Sequence, residues 1–325
     1  MYTSSLFRYF PPPKFLAMKH AGLDISDDAV RLIEYTLGKH GLHIEKFGRK
    51  ELPPGVIEGG DIRNENELVR FLADFGATNK LLHVKVSVPE EKAYLFQTEV
   101  SSSDTNTARQ NIEFKLEENV PLSAAEAQFS FDILPIAVAG NNLRASVSVV
   151  PQSYIDVYIN ILNRAGMVPV AFEVAPKSIA RSIVKRGENT TCLILHMMKG
   201  KTGIYIVSDE VMCFTSTISS TNFGDSGKEK SDHLVNLTKE VNRVYQYWMS
   251  HGGTAPSVDA ILLVGRNADD FEADLQHGLS ELSIPVMTAD VWKNVFDLEK
   301  YVPPISKQDS PEYAVAAGLA MITDV

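Results

Sequence analysis

Residues 21–51 read AGLDISDDAVRLIEYTLGKHGLHIEKFGRKE, and three extended segments can be laid out within them. Leu23-Asp24-Ile25 is a short apolar strand carrying one carboxylate, and Ala29 to Tyr35 alternates well enough to be its antiparallel partner. Ser26-Asp27-Asp28 between them is small and polar, as a tight turn requires. A second turn at Leu37-Gly38-Lys39-His40-Gly41 returns the chain into Leu42 to Phe47. These segments make a three-strand meander, not the strand-then-helix opening of a dinucleotide-binding unit.

Working outward, the chain's 325 residues are too many for one ordinary core and suit two lobes. Hydrophobic content of 44% and charged content of 22% are those of a globular protein. A formal net charge of -10 with no basic face argues against nucleic acid as a partner. No run approaches the ~18 apolar residues of a membrane span. Cys192 and Cys213 lie in apolar strand-like runs without zinc or CxxC spacing, so they are read as buried thiols. Residues 1–18, rich in aromatics around Pro11-Pro12-Pro13, lack the pattern of a signal peptide. They are read either as an arm packed on the first lobe or as a membrane or partner contact.

After the meander, Asn64 caps a helix expected to run from Glu65 to Phe75 and to end at Gly76, and His83 to Val88 alternates as a strand. Residues 93–174 then read as strand, helix, two strands, helix, strand, a self-contained insertion. Its first strand is Tyr94 to Val100 and its first helix Thr105 to Glu118, and Pro176 to Ile183 reads as the helix returning to the first lobe. Thr191 to Leu195, Gly203 to Val207 and Glu210 to Thr215 form a second meander. Lys199-Gly200-Lys201-Thr202 looks like the end of a P-loop but lacks the upstream glycine and opens no helix. His196 is read as a strand-end histidine, and Tyr245, Tyr247 and Trp248 as core or interface aromatics.

The opening strand-turn-strand, with an Asp before the turn, resembles the first phosphate hairpin of the actin and sugar-kinase ATPase fold. The segments KAYLFQTEV, NIEFKLEENVPLSAAEAQFSFDIL, GMVPVAFEVAPKSIARSI and LPPGVIEGGDIRNENEL, with the tail Glu312 to Ala320, resemble the PilM family of type IV pilus assembly proteins over roughly residues 19–325. That family is related to FtsA. The resemblance implies an α/β, actin-like (ribonuclease H-like) two-lobe fold with an inserted SHS2-type 1C subdomain. It divides the chain into an arm (1–18), first lobe 1A (19–92), insertion 1C (93–174), first-lobe return (175–188), second lobe (189–310) and C-terminal helix (311–325). The polar loop Ser219 to Gly227, where the family carries subdomain 2B, implies that 2B is reduced.

By the same resemblance Asp24, Ser26, Thr202 and Gly265 fall at the nucleotide-binding positions, but the set is degenerate. Ser26 replaces a glycine, His196-Met197-Met198 replaces Asp-x-Gly, and Arg266 replaces the second glycine of the adenosine motif. Three acids in the first turn would repel a triphosphate. No catalytic residue or metal ligand is assigned, and residual ATP and Mg binding stays open as the sole cofactor expectation. The family implies a scaffold at the inner face of the cytoplasmic membrane, attached indirectly, that holds the cytoplasmic tail of a PilN-like membrane protein and meets other platform proteins. Tyr94, Phe96, Glu113 and Glu117 are the expected walls of that partner site. Two alternatives remain: an active actin-like ATPase, and an FtsA-like filament protein, against which the lack of a C-terminal amphipathic helix counts. Homo-oligomerisation is left open.

Overall fold

The computed structural model describes residues 19–38, 41–101, 104–134, 143–185, 187–219, 227–251 and 256–321. The expectations for the N-terminal arm, for most of the 219–227 loop and for the last four residues therefore lie outside the described residues.

The meander forms as read. Strand β1 (Ala21–Ile25) pairs antiparallel with β2 (Ala29–Gly38), and β2 with β3 (Gly41–Glu51). A tight hairpin, β4 (Ile57–Glu58) and β5 (Asp61–Ile62), leads to helix α1 (Glu65–Asn79), whose first turn is capped by Asn64 accepting from Glu67 N at 3.1 Å. Gly76 does not end α1. It is buried where Met167 crosses, and Lys80 closes the helix in the left-handed region at φ 52°. Strand β6 (His83–Val88) then joins β1 in parallel.

The insertion is smaller than expected. It consists of β7 (Tyr94–Val100), α2 (Thr105–Asn119), β8 (Ala127–Leu134) and β9 (Leu143–Pro151), a three-stranded antiparallel sheet in the order β7-β9-β8. Ala108, Ile112 and Leu116 of α2 bury one face of that sheet against Val100, Ala145, Val147 and Val149. Its two ends are neighbours, because Tyr94 pairs with Val149. The expected boundary at residue 174 is corrected. Helix α3 (Gln152–Arg164) packs Tyr158, Ile161 and Leu162 with Leu68 and Leu72 of α1, and β10 (Val168–Val174) pairs in parallel with β6. Both elements belong to the first lobe.

Helix α4 (Ala175–Ile183) crosses to the second lobe, where β11 (Thr191–Met198), β12 (Lys201–Ser208) and β13 (Val211–Ser219) form the second meander. Helix α5 (Gly227–His251), strand β14 (Ala260–Gly265), helix α6 (Ala268–Gly278), strand β15 (Val286–Thr288) and helix α7 (Ala314–Ala320) complete the order. The first-lobe sheet runs β3-β2-β1-β6-β10 and the second-lobe sheet β13-β12-β11-β14-β15. Each is an antiparallel meander extended by parallel strands, so the two lobes repeat one plan.

Helices α4 and α7 lie between the sheets, and their apolar residues share one core with Ile33, Ile194 and Tyr205 from the two lobes. Helix α7, AVAAGLA, is built of small residues because it is crossed closely on two sides. A Cβ at Gly22 would collide with the backbone of Ala316, and one at Gly318 with the carbonyl of Ser178 in α4. Helices α5 and α6 cover the outer face of the second sheet through Leu237, Val241, Phe271 and Leu275.

Candidate functional site

The repeated plan turns the β1–β2 and β11–β12 hairpins toward each other across the cleft between lobes. Residues Ser26, Asp27 and Asp28 form the first turn, closed by Ser26 N donating to Ala29 O at 3.1 Å. Its acids do not stand free. Asp24, buried in β1, accepts from Ser87 Oγ at 2.9 Å and lies 3.7 Å from Arg31 Nη1, and burial nonetheless pushes its carboxyl up. Asp27 accepts from Gly59 N at 2.9 Å and Gly60 N at 3.0 Å, the two left-handed glycines of the β4–β5 turn. It also pairs with Lys201 Nζ of the second lobe at 3.3 Å. Asp28 accepts from Ser26 Oγ at 2.8 Å and faces Arg31 at 3.5 Å and Arg266 at 4.0 Å. Burial opposes its charge, but Arg31, the Ser26 hydroxyl, Arg49 and Arg266 together outweigh it and the Asp28 carboxyl is held below its ordinary value. Arg31 and Arg49 converge in turn on Glu312, at 3.4 and 3.0 Å.

The second hairpin supplies a cation to the cleft, Lys201. Lys201 bridges Asp27 and Glu91, and Glu91 with the other carboxylates raises its ammonium pKa despite burial. Beside it, Glu90 is buried and accepts from Tyr205 Oη at 2.8 Å and Thr217 Oγ1 at 3.3 Å. Burial pushes Glu90 up to about 7 and His196 down to about 3, so His196 is neutral, its Nδ1 3.3 Å from Tyr205 Oη. Of the four positions matched to a nucleotide site, Thr202 is fully buried with its hydroxyl toward Met197 Sδ, and Gly265 holds φ 93° where its backbone meets that of Met197. Asp24 and Ser26 are taken up by neighbours in the first lobe.

Lys201 and Arg266, the cations a triphosphate would meet here, are already turned to Asp27, Glu91 and Asp28, so a metal–triphosphate would have to compete with these acids for them. Among the described residues, no group of three or more His, Cys, Asp or Glu is placed to hold a metal ion. None of their helices is long and apolar enough to cross a membrane.

A second site lies where the insertion meets the first lobe. A groove of about 760 Å³ runs between β8 and β9 on one side and β6, β10 and α4 on the other. Val88, Val150 and Val174 form its apolar base, with Ile155 and Phe172 packed against them. Its cations are paired, those of Lys85 and Arg181 within one wall and that of Lys177 across the groove, and Glu210 at its second-lobe end accepts from Gly187 N at 3.3 Å. Glu173 takes Lys85 at 2.5 Å and Arg181 Nη1 at 3.0 Å, and Lys177 reaches across to Asp132 at 2.6 Å. Burial disfavours the Glu173 charge, but Arg181 and Lys85 outweigh it and hold its carboxyl low.

The expected walls of the partner site are not those of this groove. Helix α2 sits on the opposite face of the insertion sheet, where Glu113 pairs with Arg109 at 3.4 Å and Glu117 accepts from Ala124 N at 3.3 Å. Phe96 packs under α2, and Tyr94 is half-exposed on β7, the strand farthest from the groove. The reason is alternation. The face of β9 opposite α2 carries Ser146 and Ser148, and β8 there carries Gln128, Ser130 and Asp132, polar residues that read as solvated when the strand is taken alone.

Two sheets of the same order, each an antiparallel meander joined to parallel strands, with paired helices between them, define the actin-like two-lobe α/β class. No family model and no curated protein sequence matches the chain. Among solved structures it is similar to a chain of the "PilM-PilN type IV pilus biogenesis complex", at 17% identity and TM-score 0.75, covering 93% of this chain and 98% of that one. It is also similar to the ethanolamine utilization protein EutJ from Carboxydothermus hydrogenoformans, at 12% identity and TM-score 0.50, covering 95% and 90% of the two chains. At these identities the likeness establishes the fold.

Proposed function

We propose that this chain is a scaffold of a type IV pilus assembly platform at the cytoplasmic face of the inner membrane. In this reading it holds the cytoplasmic tail of a PilN-like membrane protein in the groove between the insertion and the first lobe, and it does not turn over ATP. The observation that carries the reading is the groove itself, an apolar-based channel between two sheets. The whole-chain likeness to a chain solved as part of a PilM-PilN complex supports the choice of partner. An interface of this size suits a micromolar contact, about -8 kcal/mol, with a short peptide.

Fluorescence titration of the purified protein with a synthetic tail of the PilN-like partner tests it. Micromolar binding is expected, lost in Ser130→Trp, which fills the groove from an exposed position, and retained in Phe114→Ala on the outer face of α2. A tail that fails to bind, or that binds Ser130→Trp unchanged, refutes the assignment.

A further inference from the structure

We propose that the occupant of the groove binds as an added strand on the free edge of β8, and that the site selects an extended segment without acidic residues and with apolar side chains at alternate positions. This rests on the reading of the groove as a peptide site.

Both sheets that flank the groove end at it. Strand β10 is the edge of the first-lobe sheet and β8 the edge of the insertion sheet. The groove is lined by consecutive residues of each, Gln128-Phe129-Ser130 and Ala171-Phe172-Glu173. A sheet face would present every second residue, so consecutive lining means that the strand edges themselves border the cavity.

The two edges are not equivalent. Strand β10 carries Pro169, which has no N–H, and its register with β6 shifts between Pro169 and Ala171, two features that blunt an edge against pairing. Strand β8 has neither. It runs in unbroken register with β9 from Ala127↔Pro151 to Leu134↔Arg144. Among the described residues, its backbone makes no hydrogen bond beyond that ladder. The outward N–H and C=O groups from Gln128 to Asp132 are thus a template of about 17 Å for an extended chain of that length.

The ligand's chemistry follows from the walls. Lys85 and Arg181 are paired with Glu173, and Lys177 with Asp132, so the described walls leave no cation to recognise an acidic ligand, and Glu210, which also lines the groove, sets a further acid against one. Val88, Val150 and Val174 accept apolar side chains pointing down from every second position of the added strand. A proline in that core would remove a donor facing β8.

An array of short synthetic peptides of randomised sequence, probed with the labelled intact protein, tests this. Binders should carry apolar residues two apart and no proline between them. In such a binder, N-methylation of an amide facing β8 should weaken binding about tenfold, while methylation of the alternate amides should leave it unchanged. Ser130→Trp should abolish binding, with Gln128→Trp used if Ser130→Trp does not melt like the parent. An array without binders, a binder indifferent to methylation in both registers, or binding that survives a folded groove-filling variant overturns the proposal. The tail titration fails separately. A tail that binds without alternate-amide dependence ends strand addition and keeps the proposed function, and array binders with the expected pattern beside a tail that does not bind do the reverse.

Discussion

A carboxyl group buried away from water beside another carboxylate keeps its proton to higher pH than one in water, and Glu90 is so placed beside Glu91 at the junction of the first lobe, the insertion and the second lobe, against the opposing pull of the Tyr205 hydroxyl. Its folded value of about 7 lies above the ordinary 4.5. The sign follows: its contribution to stability is fully present below pH 4.5 and is lost as pH rises through 7. The loss is at most about 3 kcal/mol, since one pKa unit is about 1.4 kcal/mol. Glu90→Gln keeps an acceptor for Tyr205 and cannot ionise. Urea unfolding at pH 5 and pH 8 is expected to show a smaller drop in stability for Glu90→Gln than for the parent, and equal drops would disprove the assignment. Nothing in the sequence singles out Glu90, which follows Pro89 in what reads as a strand-closing turn; its burial depends on Tyr205 and Thr217, more than a hundred positions away. The turn acids show the same limit. Their number was legible, but their neutralisation by Lys201, Arg266 and two glycine amides belongs to the folded state.

Elements are legible in the sequence where periodicity and caps are local, and less so where a strand's neighbour decides its place. The meander, the capped start of α1 and the apolar stripe of α2 follow from residues within one or two turns of each other. Whether α3 and β10 join the insertion or the first lobe depends on β6 and α1, and a strand such as VPVAFEV carries no mark of which sheet it extends. The residues lining the groove are not legible for a related reason: α2 shows an apolar stripe and β7 its aromatics locally, whereas nothing in the polar sequence of β8 marks it as the edge of its sheet. The contact of α7 with α4 offers a test at this scale. In Gly318→Ala the new methyl meets the Ser178 carbonyl, a backbone atom that cannot turn aside. Overpacking of this kind is expected to cost about 3 kcal/mol or more, read as a lower melting temperature in a chain that still forms both lobes. A variant as stable as the parent would mean that the two helices do not cross as described.

For the molecule as a whole, the question is what holds the two lobes together at the cleft. In this chain the contacts are its own side chains: Lys201 with Asp27 and Glu91, Arg266 with Asp28, and Tyr205 with Glu90. A ligand that binds the folded state at a hundred times its Kd adds about 2.7 kcal/mol to stability, an increment a thermal melt resolves easily. Because the acids of the first hairpin and the cations facing them are already paired with one another, millimolar Mg-ATP is expected to leave the melting temperature unchanged and to yield no phosphate above the spontaneous rate. Removing the bridge should act in the opposite way. Lys201→Ala leaves Glu91 beside the buried Glu90 without its counter-charge and unties the second lobe from Asp27. A loss of about 3 kcal/mol is expected, at the low side of what breaking a buried pair costs because Asp27 keeps the Gly59 and Gly60 amides. A melting temperature raised by Mg-ATP in the parent and not in Asp24→Ala would instead establish a working nucleotide site, and the cleft contacts would then be the resting state of a lobe pair that opens.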